Sequence, residues 1–127
     1  MEVARKKILL IDDDPAVIAL LQTKIGSRYY VVSSEDSTRG LALARSEQPD
    51  VILCDIDMPG LSGGDVAAEL AADPKTAKIP LVYLTSLVSP QEAKEMGGMV
   101  SGHPGVSKRA PLSELVRVID SVIGPAA

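Results

Sequence analysis

The chain alternates between short, uninterrupted apolar runs and longer stretches in which apolar residues recur at helical spacing. Uninterrupted apolar runs of this length are typical of strands that are buried on both faces of a parallel sheet. The pattern predicts five such strands, at residues 8–11, 29–32, 51–54, 79–84 and 106–107. Two of these runs end directly in carboxylates, so the pattern also predicts acidic groups at one edge of the sheet.

Helix start and stop signals lie between the predicted strands. Asp14 before Pro15 has the form of an N-cap followed by the first helical residue, and Gly26 is a typical stop. Ser89 before Pro90 predicts the start of a fourth helix in the same way. The five helices are expected at residues 15–25, 36–47 and 65–72, from residue 89 onward, and at 112–123.

Five strands that alternate with five helices predict an α/β fold with a doubly wound parallel sheet and right-handed crossovers. The flavodoxin-like strand order 2-1-3-4-5 reverses between strands 1 and 3, and ligands bind outside the carboxyl ends of the strands at that reversal. The 127 residues suffice for one core, and no linker, repeat or low-complexity segment divides them. We therefore expect one domain over residues 1–127, without a second domain.

The acidic residues at the ends of strands 1 and 3 are the candidate chemistry. Asp12 and Asp13 follow the first strand and Asp55 follows the third, so the predicted topology brings them to one crevice. Clustered carboxylates repel one another unless a cation lies among them, and Mg²⁺ suits a site with few protein ligands. Thr85 and Lys108, after strands 4 and 5, would reach the same crevice. Together these groups are what phosphoryl transfer to an aspartate requires.

The composition argues against several other classes of function. A formal net charge of −4 and the near absence of aromatic residues (three Tyr, no Phe or Trp) argue against nucleic-acid binding by this domain. The single cysteine, Cys54, allows neither an internal disulfide nor a zinc cluster, and we expect it in the core. No run resembles a secretory signal or approaches the length of a membrane span, so the expected location is the cytoplasm.

Four motifs, in this order, resemble those of the receiver domains of two-component response regulators. They are ILLIDDD with the acidic pair Asp12 and Asp13, VILCDIDMPG with a phosphoacceptor at Asp55, LVYLTS with Thr85, and GVSKRAPLSEL with Lys108. The resemblance covers essentially the whole chain. It implies that Asp55 attacks a phosphohistidine, that Lys108 pairs with the phosphoryl group, and that Thr85 rotates to bond it. The domain would catalyse only its own phosphorylation and autodephosphorylation, so we do not expect an enzyme in the ordinary sense.

The resemblance also implies the cofactor and the partners. Mg²⁺ would be held by Asp13, Asp55 and the backbone carbonyl of Asp57, with Asp12 acting mainly through water. The phosphodonor would be a sensor histidine kinase or a phosphotransfer protein. The signal would pass to a downstream protein, to an output domain outside this chain, or through a phosphorylation-dependent homodimer. Neither nucleic acid nor a membrane is an expected partner.

Two positions depart from the family's usual pattern. Arg109 follows Lys108 where the family usually has a proline, often in a cis peptide. A non-proline cis bond costs about 2.5–4 kcal/mol, so either a trans bond or a strained cis bond would change how the lysine is aimed. The family's switch aromatic, three residues before the lysine, is replaced by Gly105. The usual relay between threonine and aromatic is therefore not expected.

Two other classes of function match parts of the sequence. The altered segment around Lys108 would suit a pseudo-receiver that binds proteins without phosphorylation, although the intact acidic residues oppose this. The sequence Asp55-Ile56-Asp57 imitates the DxD motif of phosphatases of the haloacid dehalogenase type. That family needs a later acidic cluster, whereas the late acids Glu114 and Asp120 fall on the last predicted helix.

Overall fold

The structure is a computed structural model that describes residues 5–86, the backbone of 99–100, and residues 102–123. Strands and helices alternate from residue 7 to residue 85, and two further strands precede the last described helix. The strands are β1 (Lys7–Ile11), β2 (Tyr30–Ser34), β3 (Val51–Asp55), β4 (Leu81–Thr85), β5 (Met99–Val100) and β6 (His103–Ser107). The α-helices are α1 (Pro15–Ile25), α2 (Gly40–Glu47), α3 (Gly63–Ala72) and α4 (Leu112–Ile123), and a 3-10 helical turn covers Ser37–Arg39.

Five strands form a parallel sheet in the order β2-β1-β3-β4-β6. Because β6 is the predicted fifth strand, this arrangement confirms the predicted flavodoxin-like order 2-1-3-4-5. The sequence pattern did not predict β5, which pairs antiparallel with β6 through Met99 opposite Pro104 and Val100 opposite His103. The fourth helix predicted from Ser89 lies outside the described residues. Within the described part of the chain, no helix has the length and hydropathy to cross a membrane.

Several element boundaries differ from the prediction for local reasons. β4 begins at Leu81, two residues later than predicted, because Pro80 has no amide hydrogen for the ladder. β2 begins at Tyr30, because the Tyr29 amide is already bonded to the carbonyl of Ile25 at the end of α1. α3 begins two residues earlier than predicted, because Ser62 caps it.

The two faces of the sheet carry separate halves of the core. Ile8 and Leu10 of β1 pack with residues of α1 and α4, whereas Leu9 and Ile11 pack with residues of α2 and α3. All four side chains have no exposed surface. Cys54 lies in the second half of the core, as its neighbours in the sequence predicted. Since helices cover both faces, the ends of the strands are the part of the sheet that remains open to a ligand.

A polar cluster joins the end of α1 to the last helix. The Tyr29 hydroxyl donates to Asp120 Oδ1 at 2.6 Å, and Arg28 forms an ion pair with the same carboxylate. The hydrogen bond from Tyr29 and the charge of Arg28 hold the pKa of Asp120 below its ordinary value of 3.8. A carboxylate with a depressed pKa stabilises the fold above its unfolded pKa, and this contribution is lost as the pH falls through the folded pKa.

Asp120→Asn is therefore expected to lower the free energy of unfolding at pH 7 by about 1 kcal/mol, the size of a partly exposed charged hydrogen bond. Urea unfolding from pH 7 down to pH 3 measures this, and the difference from the wild type should shrink below the ordinary carboxyl pKa of 3.8. Arg117→Gln, which removes a solvent-exposed ion pair with Glu114 on the same helix, is the control. A loss that is equal at all pH values would contradict the assignment.

Candidate functional site

The carboxyl ends of β1 and β3 bring three of the predicted acidic residues together. Ile11 lies opposite Cys54 in the sheet, so Asp12 and Asp55 leave adjacent strands side by side. Asp12, Asp13 and Asp55 each offer a carboxylate oxygen within 4.8 Å of the others. Asp12 is fully buried and Asp55 is 5% exposed, whereas Asp13 faces solvent. The site is thus a buried pair of carboxylates with one exposed carboxylate at its mouth.

Lys108 reaches this cluster from the end of β6. Its Nζ lies 2.8 Å from Oδ2 of Asp12 and 3.2 Å from Oδ2 of Asp55. The peptide bond to Arg109 is trans. The backbone amide of Lys108 donates to the carbonyl of Thr85 at 2.8 Å, which continues the pairing of β4 and β6 by one residue. Arg109 in place of proline therefore leaves the ammonium group directed at both buried carboxylates.

The electrostatics of the cluster oppose a second negative charge. Burial raises the pKa of Asp55, and repulsion from Asp12 raises it further, while Lys108 and the backbone amide of Asp57 act in the opposite direction. Burial by itself would lower the pKa of Lys108, but its contacts with Asp12 and Asp55 outweigh burial and raise that pKa above 10.5. The lysine is consequently a permanent cation at neutral pH, and it only partly compensates the carboxylates.

The donor set fits a hard divalent cation. Oδ2 of Asp12 is buried and has no hydrogen-bond partner among the described residues, so its contact with Lys108 is an ion pair without good hydrogen-bond geometry. A buried carboxylate oxygen left in this state beside two other carboxylates is suited to a hydrated cation. The neighbouring thiol is not a ligand candidate, because burial raises the pKa of Cys54 to about 12. Oxygen donors alone favour Mg²⁺ over softer metals.

Thr85 and Asp57 border the cluster in different ways. Thr85 is the last residue of β4, is buried, and lies opposite Ser107 in β6. Asp57 is exposed in the loop after β3, and its backbone amide lies close enough to Asp55 to lower the pKa of that carboxyl. The structure therefore places the backbone of Asp57 against the site and its side chain in solvent. Whether its carbonyl binds a metal remains a prediction.

The loop between β3 and α3 (residues 56–62) is held by contacts that the sequence pattern did not reveal. At its end, the amide of Gly63 donates to the carbonyl of Ile56 at 2.7 Å. A Cβ atom on Gly63 would lie 2.5 Å from the carbonyl oxygen of Asp55, so only glycine permits this approach. From the opposite side, the buried hydroxyl of Ser37 bonds to the backbone of Pro59 and Leu61. Because Ser37 is polar and its partners lie more than 20 positions away, no hydrophobic periodicity in the sequence marks this contact.

The replacement of the family's aromatic by Gly105 has a counterpart on the neighbouring strand. Gly105 lies opposite Tyr83 of β4. The ring of Tyr83 is buried and meets the ring of His103 edge-on, with 5.4 Å between the centroids. The tyrosine ring on this part of the sheet therefore comes from β4, opposite Gly105, and it packs against the imidazole of His103 in β6.

Comparison with known proteins identifies relatives along nearly the whole chain. The family model of the response regulator receiver domain matches residues 8–120. Protein PilH of Pseudomonas aeruginosa is 33% identical over 119 residues, which are 92% of this chain and 97% of PilH. Response regulator PleD of Caulobacter vibrioides is 43% identical over 82 residues, which are 64% of this chain but 18% of PleD. This chain thus spans a small part of PleD and nearly the full length of PilH.

Solved structures of receiver domains have the same fold. The receiver domain of the sensor histidine kinase PA1611 from Pseudomonas aeruginosa superposes with a TM-score of 0.79 at 26% identity, covering 96% of this chain and 100% of that one. That structure has a magnesium ion coordinated in its active-site cleft. Chemotaxis protein CheY4 of Vibrio cholerae gives a TM-score of 0.78 at 24% identity over 94% of this chain and 99% of its own, a likeness of fold.

Proposed function

Because this chain belongs to the receiver domains of two-component response regulators, we propose that Asp55 accepts a phosphoryl group from a phosphohistidine, with Mg²⁺ bound beside it. The observation that carries the proposal is the position of Lys108, whose ammonium lies 3.2 Å from Asp55 and 2.8 Å from Asp12. A nucleophilic carboxylate, a cation for the transferred group and spare acidic oxygens for a metal lie in one crevice. These are the groups that phosphoryl transfer to an aspartate needs.

The reaction is a displacement at phosphorus. An oxygen of Asp55 forms the new bond to phosphorus while the bond from phosphorus to the donor imidazole breaks, and the imidazole takes up a proton. Asp13, Asp55 and the backbone carbonyl of Asp57 would hold Mg²⁺, with Asp12 acting through water, and the bound ion would neutralise charge on the phosphoryl oxygens. Lys108 stabilises the same charge from the other side, because its ammonium already lies beside the nucleophile.

Phosphorylation would change the partners of Lys108 and Thr85. The lysine now divides its charge between Asp12 and Asp55, and a phosphoryl group on Asp55 would offer it a stronger partner. Thr85, buried at the end of β4, would turn its hydroxyl toward the same group. Such a change biases a pre-existing equilibrium between two conformations. It would act through β4 and β6, which pair directly at Thr85 and Ser107.

The donor in this scheme is a sensor histidine kinase or a phosphotransfer protein, and the exchange takes place in the cytoplasm. The receiver of the signal is a downstream protein, an output domain, or a second copy of the domain. The main alternative is a pseudo-receiver that binds its partners without phosphorylation, for which the altered segment around Gly105 is the argument. The pairing of Lys108 with both buried carboxylates weighs against it.

Incubation with acetyl phosphate and Mg²⁺ tests the proposal without any partner protein. We expect the intact mass to show one phosphoryl adduct, and we expect excess EDTA to prevent it. The adduct should also be lost on treatment with hydroxylamine, which cleaves acyl phosphates and leaves phosphoserine intact. A protein that gains no adduct at saturating Mg²⁺ would overturn phosphoacceptance and leave the pseudo-receiver as the better description.

A further inference from the structure

A single hydroxyl from a distant part of the chain holds the loop that follows the phosphoacceptor. The Oγ of Ser37, in the first residue of the 3-10 turn, donates to the carbonyl of Pro59 at 3.0 Å. The same oxygen accepts from the amide of Leu61 at 2.9 Å. The residue is 2% exposed, so water is a poor substitute for either bond. One side chain thus satisfies both a backbone acceptor and a backbone donor, two residues apart.

The position of Ser37 is itself fixed from the acidic end of β1. Oδ1 of Asp36 accepts from the amide of Thr38 at 3.0 Å and from its hydroxyl at 2.6 Å, which caps the turn. Just before the turn, the carbonyl of Ser34 accepts from the backbone amide of Asp12 at 3.1 Å. Hydrogen bonds thus tie Asp12 to the segment before the turn, stabilise the turn itself, and join Ser37 of the turn to the loop after β3.

Asp57 lies between two fixed points of that loop. On one side, the carbonyl of Ile56 accepts from the amide of Gly63 at 2.7 Å. On the other side, Ser37 holds the backbone of residues 59–61. Gly60 has a φ of +82°, and a Cβ atom there would lie 3.2 Å from the Ser37 oxygen. The turn thus passes close to the hydroxyl because its central residue is glycine.

We propose that Ser37 is a positioning residue for the metal site: its hydroxyl sets where the backbone carbonyl of Asp57 lies relative to Asp13 and Asp55. This inference rests on the proposed function, in which that carbonyl is a ligand of Mg²⁺. Groups that orient metal ligands typically change metal affinity about 10–100-fold when they are removed. Because Ser37 acts through the backbone rather than on a ligand side chain, we expect Ser37→Ala to weaken Mg²⁺ binding about 10-fold.

Thr76→Val is the matched control. Thr76 is also buried, and its hydroxyl donates to the carbonyl of Leu70 at 2.7 Å. It follows the carboxyl end of α3, whereas the acidic cluster lies near the amino end of that helix. Both substitutions remove only a hydroxyl's hydrogen bonds with little change of shape. Thermal unfolding should show a lower midpoint for both variants. Calorimetric titration with Mg²⁺ should show a Kd raised about 10-fold for Ser37→Ala and an unchanged Kd for Thr76→Val.

Phosphorylation kinetics give a second measurement on the same proteins. With acetyl phosphate as donor, Ser37→Ala should need about 10-fold more Mg²⁺ for half-maximal rate, while the rate at saturating Mg²⁺ stays that of the wild type. An unchanged Mg²⁺ affinity in Ser37→Ala, or an equal loss in Thr76→Val, would overturn the inference and leave phosphoacceptance by Asp55 intact. A wild type that binds no Mg²⁺ would overturn both.

Gly60→Ala provides an independent route if Ser37→Ala does not fold. An alanine at a φ of +82° strains the same turn from the opposite side and crowds the Ser37 oxygen at 3.2 Å. The substitution leaves every side chain of the acidic cluster unchanged. We expect a weaker Mg²⁺ affinity here too, and an affinity equal to that of the wild type would contradict the role of this turn.

Discussion

Asp55→Asn is expected to gain no phosphoryl adduct from acetyl phosphate and Mg²⁺ under conditions in which the wild type gains one. The amide of asparagine has nearly the shape of the carboxylate, but it has no anionic oxygen to form the bond to phosphorus. Asp57→Asn is the matched control, because the Asp57 side chain is exposed and only its backbone meets the site. Intact-mass measurement over a time course compares the three proteins. An adduct on Asp55→Asn as abundant as that on the wild type would refute the assignment.

The same substitution should also change the pH dependence of stability. A carboxyl whose folded pKa is raised makes the folded state bind protons more readily than the unfolded state, so stability falls as the pH rises above the ordinary value of 3.8. Removing the charge removes this cost. We therefore expect Asp55→Asn to unfold at a higher urea concentration than the wild type at pH 7 without Mg²⁺. The two should converge as the pH falls below the ordinary carboxyl pKa, and a less stable variant at pH 7 would contradict the electrostatic account.

Lys108→Met is expected to slow phosphorylation by acetyl phosphate about 10²–10³-fold at saturating Mg²⁺, the loss typical for one preorganised electrostatic group. The ammonium lies 3.2 Å from the nucleophile and is the described side chain that best opposes charge on an incoming phosphoryl group. Without it, Asp12 and Asp55 would face each other without a cation, and the pKa of Asp55 should rise further. The rate of adduct formation measured at several Mg²⁺ concentrations separates slower transfer from weaker metal binding.

Arg109→Met is the control for Lys108→Met. It also removes a positive charge, from the residue next to Lys108. The Arg109 side chain is exposed, and its backbone amide donates to the Ser107 hydroxyl. We expect Arg109→Met to phosphorylate at the rate of the wild type. Equal losses of phosphorylation rate in both variants would mean that the overall positive charge near the site, and not the position of the Lys108 ammonium, accelerates the reaction.

The convergence of Asp12, Asp13 and Asp55 could be predicted because each follows a continuous apolar run. Such runs form buried parallel strands, and the rule for the reversal of strand order then fixes which strand ends meet. Lys108 and Thr85 were predictable for the same reason, since each follows or ends a strand. What decided these positions was local pattern combined with one topological rule.

Other features depend on contacts between distant residues and gave no such signal. Ser37 lies in a polar stretch, and its partners are 22 and 24 residues away, so no periodicity marks it. The direction of the Lys108 side chain, with Arg109 in place of proline, depends on the backbone hydrogen bond between Lys108 and Thr85. Sequence spacing does not reveal this bond. The strand β5 has only two residues, too few for an alternating pattern to be recognised.

The short strand β5 has a consequence for how this domain behaves among other polypeptides. An outer strand with free amide and carbonyl groups is a template on which another chain can add and start aggregation. Here the outermost described strand on the β6 side is two residues long and runs opposite to its neighbours. Growth of the sheet by an added chain is therefore disfavoured on this side, which lowers the tendency to aggregate through β-structure.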